Sequence, residues 1–280
     1  MNSTPAARIP RLIHQTYRTK DLSDDLLANV EHLKTQNPGF SHHLYDDADI
    51  ADFIRDEYGA KVQASYNKIR PEYGAARADL FRYLLMYARG GVYLDIKSTT
   101  TRPLEETLQP DDSFVTSHWA NRPGERYENW GNDTVRFPEM PEGELQQWHI
   151  IAEPKHPFLE AVINRTLANI DHYSPWRLGI GAPGTLQTTG PICYTRAIMP
   201  LFGQHPHRRV RTNDEIGLQY SIYERLQQHQ ALSKNYYRFQ TKPIVNAADS
   251  LGKVSQTAYQ AQWLVQRKFR HLGRILGLRK

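Results

Sequence analysis

Two short stretches of this 280-residue chain hold charged residues at spacings that chemistry can use. In the first, YGAARADLFRYLLMYA from Tyr73 to Ala88, Asp79 and Arg82 stand three residues apart and share a face of a helix, whereas Arg77 and Asp79 point about 200° apart. In the second, Gly90-Gly91 precede Val92-Tyr93-Leu94, a short apolar strand that delivers Asp95 and Lys97 at its carboxyl end. Carboxylates orient hydroxyl-bearing ligands, and a cation beside them steadies negative charge on a departing phosphate. The plainer reading is a surface ion pair, which contributes only about 0.2–0.5 kcal/mol. Location favours chemistry, because glycines permit close backbone approach and ligands of open α/β sheets bind outside the carboxyl ends of the strands.

Other constellations carry less. Twelve histidines include no HExxH or comparable ligand pair, and His42-His43 face opposite ways on a strand, so no zinc site is expected. Asp111-Asp112 after Pro110 read as a solvated turn or helix start rather than the paired acids of a glycosidase. No phosphate-loop lysine motif, nucleophile elbow or dinucleotide glycine fingerprint is present.

The elements that must position these residues alternate strand with helix. Ile9 to Gln15 predicts a strand, Leu26, Leu27, Val30 and Leu33 a helix stopped by Asn37-Pro38-Gly39, and Phe40 to Tyr45 a second strand. Asp46, Asp47 and Asp49 open a helix expected to end near Gly59, and the segment from Tyr73 to Ala88 a further one, closed by Gly90-Gly91. Ser117 to Trp148 reads as long polar loops. A helix from about Pro157 to Ile170, a glycine-rich turn region from Gly179 to Gly190 and a helix from Ile192 to Leu201 follow. Alternation of this kind predicts an open α/β sheet.

Three segments in this order, IPRLIHQTY (Ile9 to Tyr17), ARADLFRYLLMYARGGVYLDIK (Ala76 to Lys97) and TTGP (Thr188 to Pro191), resemble glycosyltransferase family 32, the sugar-transferase family containing the DXD motif. The resemblance implies a GT-A type fold: a single open mixed sheet flanked by helices, here with a basic C-terminal helix. Residues 1–260 would form the transferase domain and 261–280 a basic amphipathic tail. It also implies a retaining enzyme that moves a hexose from a UDP- or GDP-sugar to a hydroxyl of a glycan or lipid-linked saccharide in polysaccharide biosynthesis. By the same resemblance, Asp79 and Arg82 grip the donor sugar, with Arg77 on the same helical segment. His14, Gln15 and Thr16 approach the base and ribose, and Thr189-Gly190-Pro191 turn towards donor or acceptor; independently of the resemblance, Tyr17 offers a ring that could stack on a base. Tyr93 is read either beside the donor or in the core.

The motif itself departs from the family, reading Asp95-Ile96-Lys97 where Asp-X-Asp is usual. Three readings stay open: Asp95 still binds Mn or Mg with help from a distant ligand, the Lys97 ammonium neutralises the diphosphate directly, or the chain is a catalytically degenerate module that only binds nucleotide-sugar or glycan. Trp119, Tyr127, Trp130, Phe137 and Trp148 form either an acceptor surface, since sugars pack C–H faces on aromatic rings, or ordinary core.

Composition bounds the rest. Hydrophobic residues at 39% and charged residues at 23% fit a folded globular chain, and no apolar stretch approaches the roughly 20 residues of a spanning helix. A single cysteine, Cys193, excludes an internal disulfide and fits a reducing compartment, so a cytoplasmic protein is expected. Six of its cations and no carboxylate lie between Arg267 and Lys280, more positive charge than the net +5 of the whole chain. With Trp263, Val265, Phe269, Leu272 and Leu276 they form an approximate helical stripe, read either as peripheral contact with the inner face of a membrane or as a solvated helix. Nucleic acid is not an expected partner, because basic residues cluster nowhere else.

Overall fold

The computed structural model describes residues 7–131, 136–223, 240–247 and 249–275, with side chains to residue 267 in the last segment. Strand β1 (Leu12–Thr16) leads to helix α1 (Asp24–Gln36), strand β2 (Ser41–Tyr45) and helix α2 (Asp47–Lys68). The strand begins later than the apolar run suggests, since Pro10 has no N–H to give a ladder and its carbonyl instead accepts from the Leu12 N–H. Asp46 starts α2 with a capping box, its side chain accepting from the Ala48 and Asp49 N–H groups while Asp49 accepts from its backbone. Gly59, at φ 72°, interrupts this helix as expected, yet helical structure resumes and continues to Lys68.

Helix α3 (Gly74–Arg89) is the centre of the molecule. Every residue from Leu80 to Met86 is buried, so the helix is packed on all sides rather than along one stripe. It contacts α2, helix α5 (Pro157–Asp171), helix α7 (Gly181–Thr188) and strand β3 (Gly91–Leu94). A helix in this position cannot hold Asp79 and Arg82 as a surface ion pair. Gly90 and Gly91, at φ 63° and 100°, turn the chain from α3 into β3. A Cβ on Gly90 would meet the Ala152 carbonyl at 2.8 Å, and one on Gly91 the Leu12 carbonyl at 2.7 Å. The glycines therefore serve strand packing at the amino end of β3, not ligand approach at its carboxyl end.

Strands β4 (Thr99–Thr100), β5 (Phe114–His118), β6 (His149–Ala152), β7 (Arg208–Thr212) and β8 (Leu218–Gln219), with helices α4 (Leu104–Thr107), α6 (Pro175–Leu178) and α8 (Pro191–Ile198), complete the body. The main sheet has the order β2-β1-β3-β6-β5-β7, the expected mixed sheet, and among the described residues β4 and β8 add a separate two-stranded ribbon. Only β6 pairs antiparallel with its neighbours in the main sheet. The carboxyl ends of β1, β3, β5 and β7 consequently share one edge. This is an open mixed α/β sheet flanked by helices, as the alternation of strand and helix predicts.

The expected glycine-rich turn region holds helix α7 instead. Gly184 is a packing glycine, for a Cβ there would lie 2.6 Å from the Gly179 carbonyl and 2.8 Å from Ile244. At the other end, helix α9 (Ser250–Ile275) runs through the expected domain boundary at 260/261 without a break. It docks on α6 through Tyr259 against Trp176, their ring centroids 4.9 Å apart, and on the segment at Val245 through Gln256, which donates to the Val245 carbonyl. Phe269, Arg270, Leu272 and Arg274 of the tail stripe lie beyond the described side chains, and Leu276 beyond the described residues.

Burial holds His14 and His149 neutral, with pKa values lowered to about 4 and about 3. Unfolded imidazoles titrate near pH 6.5, so below that value the unfolded chain binds protons that the folded chain refuses, and stability falls as pH falls towards 4. Each unit of lowering corresponds to about 1.4 kcal/mol. Thermal melts between about pH 7.5 and about 4.5 should show the midpoint dropping by many degrees; a flat profile would contradict the neutral buried state.

Candidate active site at the carboxyl edge of the sheet

Strand β3 ends where the Asp95 N–H donates to the Trp148 carbonyl at 2.9 Å, and the chain then turns, the Ser98 N–H donating to the Asp95 carbonyl at 2.7 Å. This turn is pinned from several directions. Gln15 donates to the Asp95 carbonyl, Asn29 donates to the carbonyls of Ile96 and Ser98, and the Ser98 hydroxyl donates to the Tyr220 carbonyl. The Ile222 N–H closes the far side on the Lys97 carbonyl at 2.8 Å. Asn29, Tyr220 and Gln147 escape sequence reasoning. Asn29 alone leaves a signal, as a polar residue among Leu26, Val30 and Leu33 on the buried stripe of α1. Gln147 and Tyr220 sit in irregular segments without a motif.

A line of alternating charge crosses from α3 to this turn. Arg82 lies 3.3 Å from Asp79 and 3.0 Å from Asp95, and Lys97 lies 3.8 Å from the other oxygen of Asp95. Arg82 also stacks over the buried Tyr93 ring at 4.8 Å and donates to the Gln147 carbonyl, while Lys97 stands over the Tyr220 ring at 4.3 Å. Exposure divides the four residues into two pairs: side chains of Asp79 and Arg82 are 5% and 6% accessible, those of Asp95 and Lys97 22% and 16%. The outer pair is partly open to solvent; the inner pair is enclosed and fixes it in place. Burial pushes the Asp79 carboxyl up, opposed by Arg82 and by hydrogen bonds from Thr189 and Gln147. Burial also works against the Arg82 charge, but Asp95 and Asp79 outweigh it and raise its pKa, so the guanidinium stays protonated.

The late segment reaches the same place. Thr189 donates to Asp79 at 2.8 Å and Gln147 to its other oxygen at 3.1 Å, and the Tyr83 hydroxyl donates to the Thr189 carbonyl. Gly190 caps α8, where a Cβ would fall 2.9 Å from Leu186, and Pro191 is the first residue of that helix. Both oxygens of Asp79 are thus occupied by hydrogen bonds within the protein, and one of them also faces Arg82. Other expected contacts lie apart from this cluster. Arg77 donates to the Ile69 carbonyl and stacks on Tyr66. His14 is buried in mid-strand against the Gly90 carbonyl and the Tyr45 hydroxyl, and Thr16 donates to the Tyr45 carbonyl. Tyr93 belongs to the core, and Tyr17 packs against the small cluster of Leu26, Val30 and Ile96 at the sheet edge.

The aromatic residues also divide. Phe137 lies in the main core, whereas Trp119, Tyr127, Trp130 and Trp148 gather around Tyr220, with the Trp119 and Tyr220 rings 4.9 Å apart and those of Trp148 and Tyr220 5.5 Å apart. Beside them a cavity of about 160 Å³ is lined by His118, Trp119, Asn121, Arg122, Glu142 and Arg211. His118 ends β5 and is buried with neither ring nitrogen hydrogen-bonded.

A divalent cation suits this donor set poorly. Asp95 already faces a guanidinium and an ammonium, and the described residues hold no group of three His, Cys, Asp or Glu that could enclose a metal. Hard cations need several oxygen ligands, and a dication at Asp95 would stand among two fixed positive charges.

Residues 23–115 match the family described as the glycosyltransferase sugar-binding region containing DXD motif. Among curated proteins, the initiation-specific alpha-1,6-mannosyltransferase of Schizosaccharomyces pombe is 27% identical over 205 residues, 69% of this chain and 48% of that one. Mannosyl phosphorylinositol ceramide synthase CSH1 of Saccharomyces cerevisiae is 31% identical over 108 residues, 38% of this chain and 27% of its own length. The chain thus spans about half or less of these relatives. Among solved structures, PaToxG glycosyltransferase overlays with a TM-score of 0.49 at 14% identity, covering 90% of this chain and 85% of that one.

Removing one partner of a buried ion pair leaves the other charge uncompensated, at a cost of about 3–5 kcal/mol. Asp79→Ala should therefore lower unfolding free energy by that amount in urea titrations, and Asp95→Ala, at the more exposed end, by distinctly less. Equal and small losses would show that Asp79 does not anchor Arg82.

Proposed function

We propose that the chain is a retaining glycosyltransferase that moves a hexose from a UDP- or GDP-sugar to a hydroxyl of a glycan or lipid-linked saccharide. The observation that carries this reading is the Asp79–Arg82–Asp95–Lys97 line at the shared carboxyl edge of the sheet, where ligands of open α/β folds bind. The family match and the mannosyl-transferring names of its relatives support it. In the proposed reaction the bond between the sugar C1 and the diphosphate oxygen breaks, its electron pair leaving with the nucleoside diphosphate. The acceptor oxygen bonds C1 on the same face, and its proton passes to the departing phosphate oxygen. Asp95 orients the donor, Lys97 and Arg82 offset the charge that develops, and no protein nucleophile is required. The hollow beside Trp119, Trp130 and His118, at the carboxyl end of β5, is the acceptor side.

Donor hydrolysis and transfer assays over a panel of UDP- and GDP-sugars test the assignment. Asp95→Ala should lower kcat at least about a hundredfold, the range expected when an electrostatic contact to the reacting group is lost, while melting remains cooperative. Normal turnover in that variant would sink the reading.

The tail supports a proposal of peripheral contact with the inner face of an anionic membrane. Leu251, Val254, Leu264 and Val265 are exposed along α9, Arg267 stacks over Trp263, and the sequence beyond continues with cations and no carboxylate. Ser255, Gln256 and Tyr259, which hold α9 to Trp176 and Val245, all precede 261, so deleting residues 262–280 retains these contacts. The full chain should sediment with phosphatidylglycerol vesicles and the truncated chain should not; equal sedimentation would end the proposal.

A further inference from the structure

We propose that Lys97 takes the place of a divalent cation, so that the site binds a nucleoside diphosphate without metal; this rests on the donor reading above. Charge counting makes the first argument. With aspartate at position 97 the cluster of Asp79, Arg82, Asp95 and residue 97 would carry a net charge of −2, which one dication would cancel. With lysine the same cluster is neutral by itself, because the substitution changes the charge by the two units a dication would supply.

Geometry makes the second. The Lys97 ammonium is held over the Tyr220 ring at 4.3 Å and 3.8 Å from Asp95, in a side chain only 16% accessible. Its backbone is fixed by the Ile222 N–H, and Tyr220 is fixed to the same turn through its carbonyl, which accepts from Ser98. The pairing of β4 with β8, Thr99 opposite Gln219 and Thr100 opposite Leu218, locks the two segments together just beyond. A flexible surface lysine loses much of its effect to solvent and salt, whereas a sheltered one on a rigid turn acts as a placed charge. Asp95 is committed to Arg82 at 3.0 Å, so a metal there would have to displace an existing ion pair.

Calorimetric titration of UDP and of GDP into the full chain, in EDTA and again with manganese chloride, tests this. At least one nucleotide should bind with the same Kd, within about twofold, in both conditions. Lys97→Gln should weaken that binding at least about tenfold in EDTA, the loss of about 1.4 kcal/mol expected for one charge-assisted contact. Lys97→Asp should bind only when manganese is present, and this gain of metal dependence shows that the variant is folded. Binding by the unaltered chain that requires manganese, or undiminished binding by Lys97→Gln in EDTA, would overturn the proposal and leave the donor reading standing. Absence of binding by both nucleotides in both conditions would overturn the donor reading and this proposal together.

Discussion

The Arg82 guanidinium, sunk between two carboxylates, is the constraint on which the site depends. It ties helix α3 to the end of β3, because Asp79 comes from its own helix and Asp95 from the strand that follows. A buried charge of this kind is tolerated only when its partners are fixed, and the surroundings are built accordingly. Thr189 and Gln147 hold Asp79, Gln147 also receives Arg82 on its carbonyl, and the Tyr93 ring lies under the guanidinium. Segments about a hundred residues apart in the chain thereby meet around one cation.

Rigidity spreads outward from that point. Gln15 on β1, Asn29 on α1 and the segment around Tyr220 all hydrogen-bond to the turn from Asp95 to Ser98. The side chains that remain partly accessible, Asp95 and Lys97, therefore project from a turn with little freedom. Preorganised charge is effective because no reorganisation is needed when a ligand arrives. The aromatic group around Tyr220 extends the same surface towards the hollow at His118, so the donor and acceptor sides proposed above share one wall.

Much of the local structure was legible from residue types. The acidic start of α2, the helical spacing in α3 and the apolar triplet before Asp95 predict elements that are present, because capping and periodicity are local effects. Failures came where packing overrode local preference. Gly184 reads as a turn residue, yet it serves close approach inside α7, and Gly90-Gly91 read as ligand-edge glycines, yet they admit Ala152 and Leu12 at the opposite end of β3. His14 and Arg77 look available for a ligand in the sequence, but one is buried in mid-strand and the other holds the Ile69 carbonyl.

The sequence by itself determined the pairing of Asp79 with Arg82 on one helical face, the delivery of Asp95 and Lys97 at a strand end, and the exchange of a carboxylate for an ammonium in the motif. These are matters of spacing and residue type, set by the 3.6-residue turn of a helix and the alternation of a strand. Only the tertiary structure decided which of those charges face outward. Depth depends on what packs around α3, and Thr189, Gln147 and Tyr220 come from segments whose approach no local pattern encodes. The division between a buried inner pair and a partly accessible outer pair is therefore a property of the assembled core.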